Sequence, residues 1–339
     1  MPDRNAARDT DIGIVDVAAA RQRLAGHVRR TPMIEALALS TRHGVPVRLK
    51  CEHQQITGSF KARGATNTVL GLSQAQREAG VAAASTGNHG RALAYAAKAA
   101  GIRAVICMSS LVPANKVEAV RALGADVRIV GVSQDDAQLE VDRLVRDEGM
   151  TNVAPFDMAG TIAGQGTLGL EMIEDAPDTE ALLVPLSGGG LLAGVALAAK
   201  ALNPAVRVIG VTMERGAAMY ASLASGRPVE VTEVPSLADS LGGGIGLDNR
   251  FTFSMVQRLV DDVVLVSEVE IAEAIRLAYM ELGEVIEGAA AVGMAALAAG
   301  RIALRGPVGI VLSGRNIDMA LHRRIVMGEN PDLAGAGHG

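Results

Sequence analysis

Short apolar runs recur along this chain, VPVRLKCE, VAAAS, RAVICM, ADVRIV, ALLVPL, RVIGVT, DDVVLVS and VGIVLS, with helical stretches between most of them. Strands that alternate with helices and are apolar on both faces pair in parallel, because each return crosses over the sheet through a helix. The alternation therefore predicts an α/β protein with parallel sheets flanked by helices. Ahead of the first strand, a polar arm of about ten residues leads into GIVDVAAARQRLAGHV, whose apolar spacing is helical. Thr31-Pro32 is expected to end that helix, since the residue before a proline resists the α region.

The bulk numbers narrow the class. A chain of 339 residues is long for one core and suits a two-lobed enzyme. A net charge of −5 leaves no basic footprint for nucleic acid or an anionic membrane. No apolar run approaches the roughly 20 residues that a membrane span requires. The opening MPDRNAARDTD is polar, unlike a secretory signal. Cys51 and Cys107 sit in strand-like runs and make no disulfide framework, so buried thiols of a cytoplasmic protein are expected.

Chemistry enters at the loops. Lys61 stands in TGSFKARGA, follows Phe60 and opens the helical run KARGATNTVL. A positive charge in the first turn of a helix opposes the dipole, which lowers the lysine pKa and favours the free amine. Schiff-base chemistry with a carbonyl cofactor needs such an amine. A plain helix-start lysine is the competing reading. Ser85-Thr86-Gly87-Asn88-His89-Gly90 joins a small-residue strand to a helix, and Ser187-Gly188-Gly189-Gly190-Leu191 joins ALLVPL to an apolar helix. Consecutive glycines let loop N–H groups converge on an anion, and the helix start behind them adds its positive end. Ser313 ends VGIVLS. A reactive lysine, a phosphate cradle and polar strand-end loops together describe a site for pyridoxal 5′-phosphate. One competitor is a dinucleotide fingerprint, Gly188-x-Gly190-x-x-Ala193 with Glu214 as the ribose acid, but it leaves GSFKARGA and STGNHG unexplained.

GSFKARGA, STGNHG, AGQGT, SGGGLLAG and SGRNID, in this order, resemble the threonine dehydratase and serine racemase group of fold-type II (tryptophan synthase β-like) pyridoxal phosphate enzymes. The resemblance runs from about Arg30 to Met327. It implies a small mobile lobe over residues 54–148 and a large lobe over 1–53 and 149–330, with the cofactor between them, a homodimer, and a disordered tail over 331–339. A catalytic domain alone, with no C-terminal regulatory domain, is expected. The resemblance implies that Lys61 binds the cofactor and takes the Cα proton, and that Phe60 packs on the cofactor ring, an ordinary core aromatic being the alternative. Ser187, Gly188, Gly189, Gly190 and Leu191 would bind the phosphate, Asn88 the phenolic oxygen and Ser313 the pyridine nitrogen. Ser85, Thr86, Gly87, Asn88 and His89 would hold the substrate carboxylate. His89 has an equal alternative as a helix-start histidine satisfied by a backbone carbonyl.

This chain also departs from its resemblance. Racemases place a serine where Thr86 stands, as a base on the far side of Cα, so Ser85 and Thr86 are catalytic candidates with racemisation disfavoured by the added methyl. Thr212 and Ala218 take the places of metal-ligating acids, leaving Glu214 alone, and no metal is expected because hard cations need several oxygen ligands. Arg315 replaces a glycine in the last motif and is a candidate substrate contact, with an outward arginine paired to Asp318 as the alternative. MERGAAMY and PSLADSLGGGIGLDNRF resemble the hydroxyectoine-utilisation dehydratases. The expected activity is β-elimination from a β-hydroxy-α-amino acid. A β-replacement synthase, a racemase and a non-enzymatic pyridoxal phosphate-binding regulator are the alternatives.

Overall fold

The computed structural model describes residues 12–112, 114–331 and 333; the polar N-terminal arm through Asp11 and the tail from residue 334 lie outside them. The strands are β1 (Met33–Glu35), β2 (Val47–Lys50), β3 (Val81–Ala84), β4 (Ala104–Met108), β5 (Asp126–Ile129), β6 (Thr151–Asn152), β7 (Ala181–Pro185), β8 (Arg207–Met213), β9 (Asp262–Val266) and β10 (Val308–Val311). The helices up to β7 are α1 (Ile14–Leu24), α2 (Leu37–His43), α3 (Lys61–Leu70), α4 (Gln74–Ala79), α5 (Asn88–Ala99), α6 (Ala114–Ala122), α7 (Gln134–Glu148) and α8 (Ala159–Asp175). Beyond it come α9 (Gly190–Leu202), α10 (Ala218–Ser225), α11 (Thr252–Leu259), α12 (Glu268–Leu282), α13 (Gly288–Ala298) and α14 (Met319–Val326).

A larger sheet has the order β1-β2-β10-β7-β8-β9, parallel except where β1 runs against β2. A smaller one, β5-β4-β3-β6, is parallel throughout. Every apolar run read from the sequence is a strand. The central strands are buried on both faces, while the edge strands β5 and β9 are only partly covered. One core of the larger sheet joins Leu183, Ile209 and Ile310 to α12 and α13, and another joins Leu182, Val184 and Val208 to α8 and α9. Strands β1 and β6 were not visible in the sequence, because three and two residues carry no periodicity. Since β6 pairs with β3, the smaller sheet reaches Asn152, past residue 148. In the tail, Leu333 leans on the core of the larger sheet.

The first helix corrects an expectation. It ends at Leu24 rather than at Thr31-Pro32, because Gly26 turns the chain at φ 79° and the His27 N–H returns to the Leu24 carbonyl at 2.9 Å. The AGQGT motif proves to be packing that serves the site. A Cβ on Gly164 would lie 2.7 Å from the Gly64 Cα, and one on Gly194 would lie 2.7 Å from the Gly166 nitrogen. The glycines therefore let α8 touch both the lysine helix α3 and the glycine-loop helix α9 at backbone distance.

Candidate active site

Helix α3 starts at Lys61 because the segment before it is tied to the end of β10. Ser59 bridges to Gly314, and the Phe60 N–H donates to the Ser313 carbonyl at 3.0 Å. From below, Arg63 clamps the helix. Its guanidinium, almost fully buried, donates to Glu52 at 2.8 and 2.9 Å and to Glu171 at 2.7 and 2.8 Å. Lys61 Nζ donates to the Pro155 carbonyl at 2.7 Å and lies 5.2 Å from the centre of the Phe60 ring. Part of the lysine surface stays open, but its ammonium sits deep among protein atoms, and that loss of water lowers its pKa to about 8. The Glu287 carboxylate opposes the shift. Burial, not the helix dipole expected from sequence, is thus the leading cause. Phe60 also packs against the core beside α9, as its alternative reading as a core aromatic has it.

The glycine loop lies against the same short segment that holds the lysine. Gly189 has φ 90°, a left-handed conformation in which a side chain is strained, and α9 begins at the next residue. A Cβ on Gly188 would come within 2.5 Å of the Phe156 ring, and one on Gly190 within 2.8 Å of the Phe156 backbone. Pro155 and Phe156 therefore touch the lysine and the cradle at once. Asp157 anchors them by accepting the N–H groups of Arg250, Phe251 and Thr252 at 2.6, 2.9 and 2.9 Å. Ser187 lines a narrow crevice with Thr212, Ala218 and Leu241. An amine and a helix start whose loop leaves no room for side chains form a donor set that fits pyridoxal phosphate.

Asn88 opens α5, and here the structure adds a residue that the sequence reading missed. The Asn88 amide donates to Glu287 Oε1 at 2.7 Å, and its oxygen accepts from Asn316 Nδ2 at 2.6 Å. Glu287 also accepts the Asn316 backbone N–H at 3.0 Å. Burial pushes its pKa up to about 7, Asp239 adds to the rise, and the bonds from Asn88 and Asn316 resist it. Its one sequence signal was a lone acid, VIEGAAAVG, before an otherwise apolar helix. Ser313 is buried at the end of β10.

The remaining candidates divide. Ser85 Oγ accepts the Gly90 N–H at 3.0 Å, so that oxygen caps the helix start while its proton stays available. Thr86 and Gly87 are half-buried beside it, with Gly87 as the residue before α5. His89 follows the alternative reading: its Nε2 bonds to the Val153 carbonyl at 2.7 Å, and burial drives its pKa down to about 3. A neutral, buried ring bonded to the backbone does not present its side chain to a substrate. Arg315 is exposed, whereas Ser313 and Gly314 before it are buried and Asn316 after it is half-buried. Asp318 does not pair with it but caps α14, accepting from Ala320 and Leu321 at 2.9 Å. Thr212 is buried with its hydroxyl on Met213 Sδ at 3.4 Å, and Glu214 is exposed.

With this geometry in place, likeness to known proteins becomes specific. The family model described as pyridoxal-phosphate dependent enzyme matches residues 24–314. A Sinorhizobium fredii protein with the provisional name threonine dehydratase is 59% identical over 94% of this chain and 96% of its own length. The L-threonine ammonia-lyase of Thermotoga maritima is 42% identical, covering 93% of this chain and 78% of that protein. Among solved structures, maize serine racemase superposes with a TM-score of 0.87 at 34% identity, over 92% of this chain and 96% of that one. A threonine deaminase from T.th. gives 0.84 at 36% identity, over 90% and 99%. The chain belongs to the pyridoxal-phosphate dependent enzyme family, with the fold of the threonine deaminases and serine racemases.

Proposed function

We propose that this enzyme is an ammonia-lyase that eliminates the β-hydroxyl of a β-hydroxy-α-amino acid, giving a 2-oxo acid and ammonia. The observation that carries the reading is Lys61 Nζ, held at the Pro155 carbonyl with its pKa lowered to about 8. Such an amine is a base within working range of neutral pH. The threonine dehydratase and ammonia-lyase relatives support the reaction class. When bound, pyridoxal phosphate supplies the electron sink for the charge left at Cα. Lys61 would hold the cofactor and receive the Cα proton at Nζ. The glycine loop with Ser187 and Leu191 would take the phosphate, and Phe60 would lie on the ring. Ser313 would face the pyridine nitrogen; a hydroxyl does not keep that nitrogen protonated as a carboxylate would, which suits elimination better than transamination. Ser85, Thr86 and Gly87 would receive the substrate carboxylate, and the methyl of Thr86 favours elimination over racemisation.

The substrate set we infer includes serine, threonine and a hydroxyectoine-derived amino acid, the last supported by MERGAAMY and by Arg315 in SGRNID. The exposed Arg315 would then meet the far end of a larger substrate at the mouth of the site. A cytoplasmic homodimer of a small mobile lobe and a large lobe completes the proposal. The test is a screen of serine, threonine and hydroxylated diaminobutyrate derivatives for 2-oxo acid and ammonia, with and without an added thiol. Release of 2-oxo acid in both conditions supports elimination. A thiol adduct in its place would assign β-replacement, interconversion of enantiomers racemisation, and no turnover a regulatory role. Within the same screen, Arg315→Gly is expected to weaken the larger substrate far more than threonine.

A further inference from the structure

We propose that Glu287 is a positioning residue that fixes the amide of Asn88 in one orientation, leaving a single N–H for an acceptor oxygen on the cofactor. The inference rests on the proposed function, in which Asn88 faces the cofactor. An asparagine amide offers two N–H donors and one carbonyl oxygen, and by itself it can turn over. Here the turn is blocked by a relay whose ends have only one possible role. Arg91 Nη1, which can only donate, gives to Asn316 Oδ1 at 3.2 Å. The Thr57 carbonyl, which can only accept, takes Asn316 Nδ2 at 3.0 Å. Asn316 is therefore oriented, and its Nδ2 gives to Asn88 Oδ1 at 2.6 Å. On the other side the Glu287 carboxylate takes the Asn88 Nδ2 at 2.7 Å. Turning Asn88 over would set oxygen against oxygen at Glu287 and amine against amine at Asn316.

Glu287 is itself pinned. Its N–H donates to the Gly314 carbonyl at 3.1 Å, and its second oxygen accepts the Asn316 N–H at 3.0 Å. A Cβ on Gly314 would lie 2.4 Å from Glu287 Oε1, so only glycine lets the strand-end loop close over the carboxylate. The charged groups that bear on Glu287 are Lys61 from α3, Arg91 from α5 and Asp239 from the turn before residue 242. The relay needs the carboxylate: a proton on Glu287 would add a donor where Asn88 and Asn316 already donate. With its acceptor and one donor taken, Asn88 has only an N–H left, which stabilises a deprotonated oxygen more than a hydroxyl.

Holoenzyme carrying Glu287→Gln tests this by the absorption band of the bound cofactor, which reports the protonation of the ring oxygen, and by turnover. The band is expected to lose intensity to the shorter-wavelength, protonated form, and kcat to fall roughly tenfold, the size of one charge-assisted hydrogen bond, with KM changed much less. The acid limb of the pH profile should change with it, whereas Glu287→Asp should keep the band. Asn88→Ala added to Glu287→Gln should cost less than the product of the single losses, because the two act through one group. An unaltered band and pH profile in Glu287→Gln, or losses that simply multiply, overturns the inference. Should Glu287→Gln fail to fold, Asn316→Asp, which sets an acceptor against Asn88 Oδ1, must shift the band, and an unchanged band overturns it equally. A wild-type protein with no cofactor band would sink the proposed function as well.

Discussion

The amine of Lys61 lies 2.7 Å from the carbonyl oxygen of Pro155, and the next residue, Phe156, is what a side chain on Gly188 or Gly190 would strike. One loop thus sets the distance between the Lys61 amine and the glycine loop. Because Asp157 anchors that loop to the start of α11, the spacing is fixed by the larger sheet's helices rather than by the loop alone.

Borohydride treatment of the holoenzyme is expected to fix the cofactor on the peptide GSFKARGA. Label on Lys50, Lys98, Lys116 or Lys200 would refute the assignment; Lys50 is already buried at 2.7 Å from Glu171. Lys61→Ala should lower kcat by about a hundredfold to ten-thousandfold, the usual range for a positioned base.

Gly190→Ala should weaken cofactor binding while sparing most of the fold. Its Cβ would need to displace the Phe156 backbone from 2.8 Å, the same segment that bonds Lys61. Equilibrium titration with pyridoxal phosphate checks this, and an unchanged affinity would separate the loop from the phosphate.

Arg63→Met leaves the buried Glu52 without its cation and Glu171 with Lys50 alone. Removing one member of such a cluster costs about 3–5 kcal/mol, readable from the urea midpoint of the cofactor-free protein. A loss below about 1 kcal/mol, the range of exposed pairs, would mean that the clamp does not hold the lysine helix.

Chelation should leave turnover intact. Thr212 offers one hydroxyl already turned to Met213, Ala218 offers no ligand, and Glu214 faces solvent. Loss of activity with EDTA and its return with magnesium would contradict this.

Glu287 also makes a stability prediction for the cofactor-free protein. Its folded pKa of about 7 is raised above the ordinary 4.5, so between these values the folded state holds the extra proton. Its contribution is therefore fully present below pH 4.5 and is lost as pH rises through 7. Relative to Glu287→Gln, the wild-type protein should lose stability across that window in parallel urea titrations. A constant difference would place the carboxyl in a wetter site than the structure gives it.

The strand pattern, the helix start at Lys61 and the glycine loop were legible in the chain because each is local: apolar runs, a glycine string and a helix opening report themselves over a few residues. Tertiary structure decided what those residues do to one another. Lys61 has a lowered pKa because distant segments exclude water from it, an effect stronger than the dipole of its own helix. Glu287 joins the site across 199 residues from Asn88, and no spacing rule connects them. His89 was ambiguous until Val153, 64 residues away, supplied its acceptor. Hydrogen bonding and desolvation act over ångströms in space. The sequence carries the groups, but only the packing of β10, α5 and α13 together determines which of them meet.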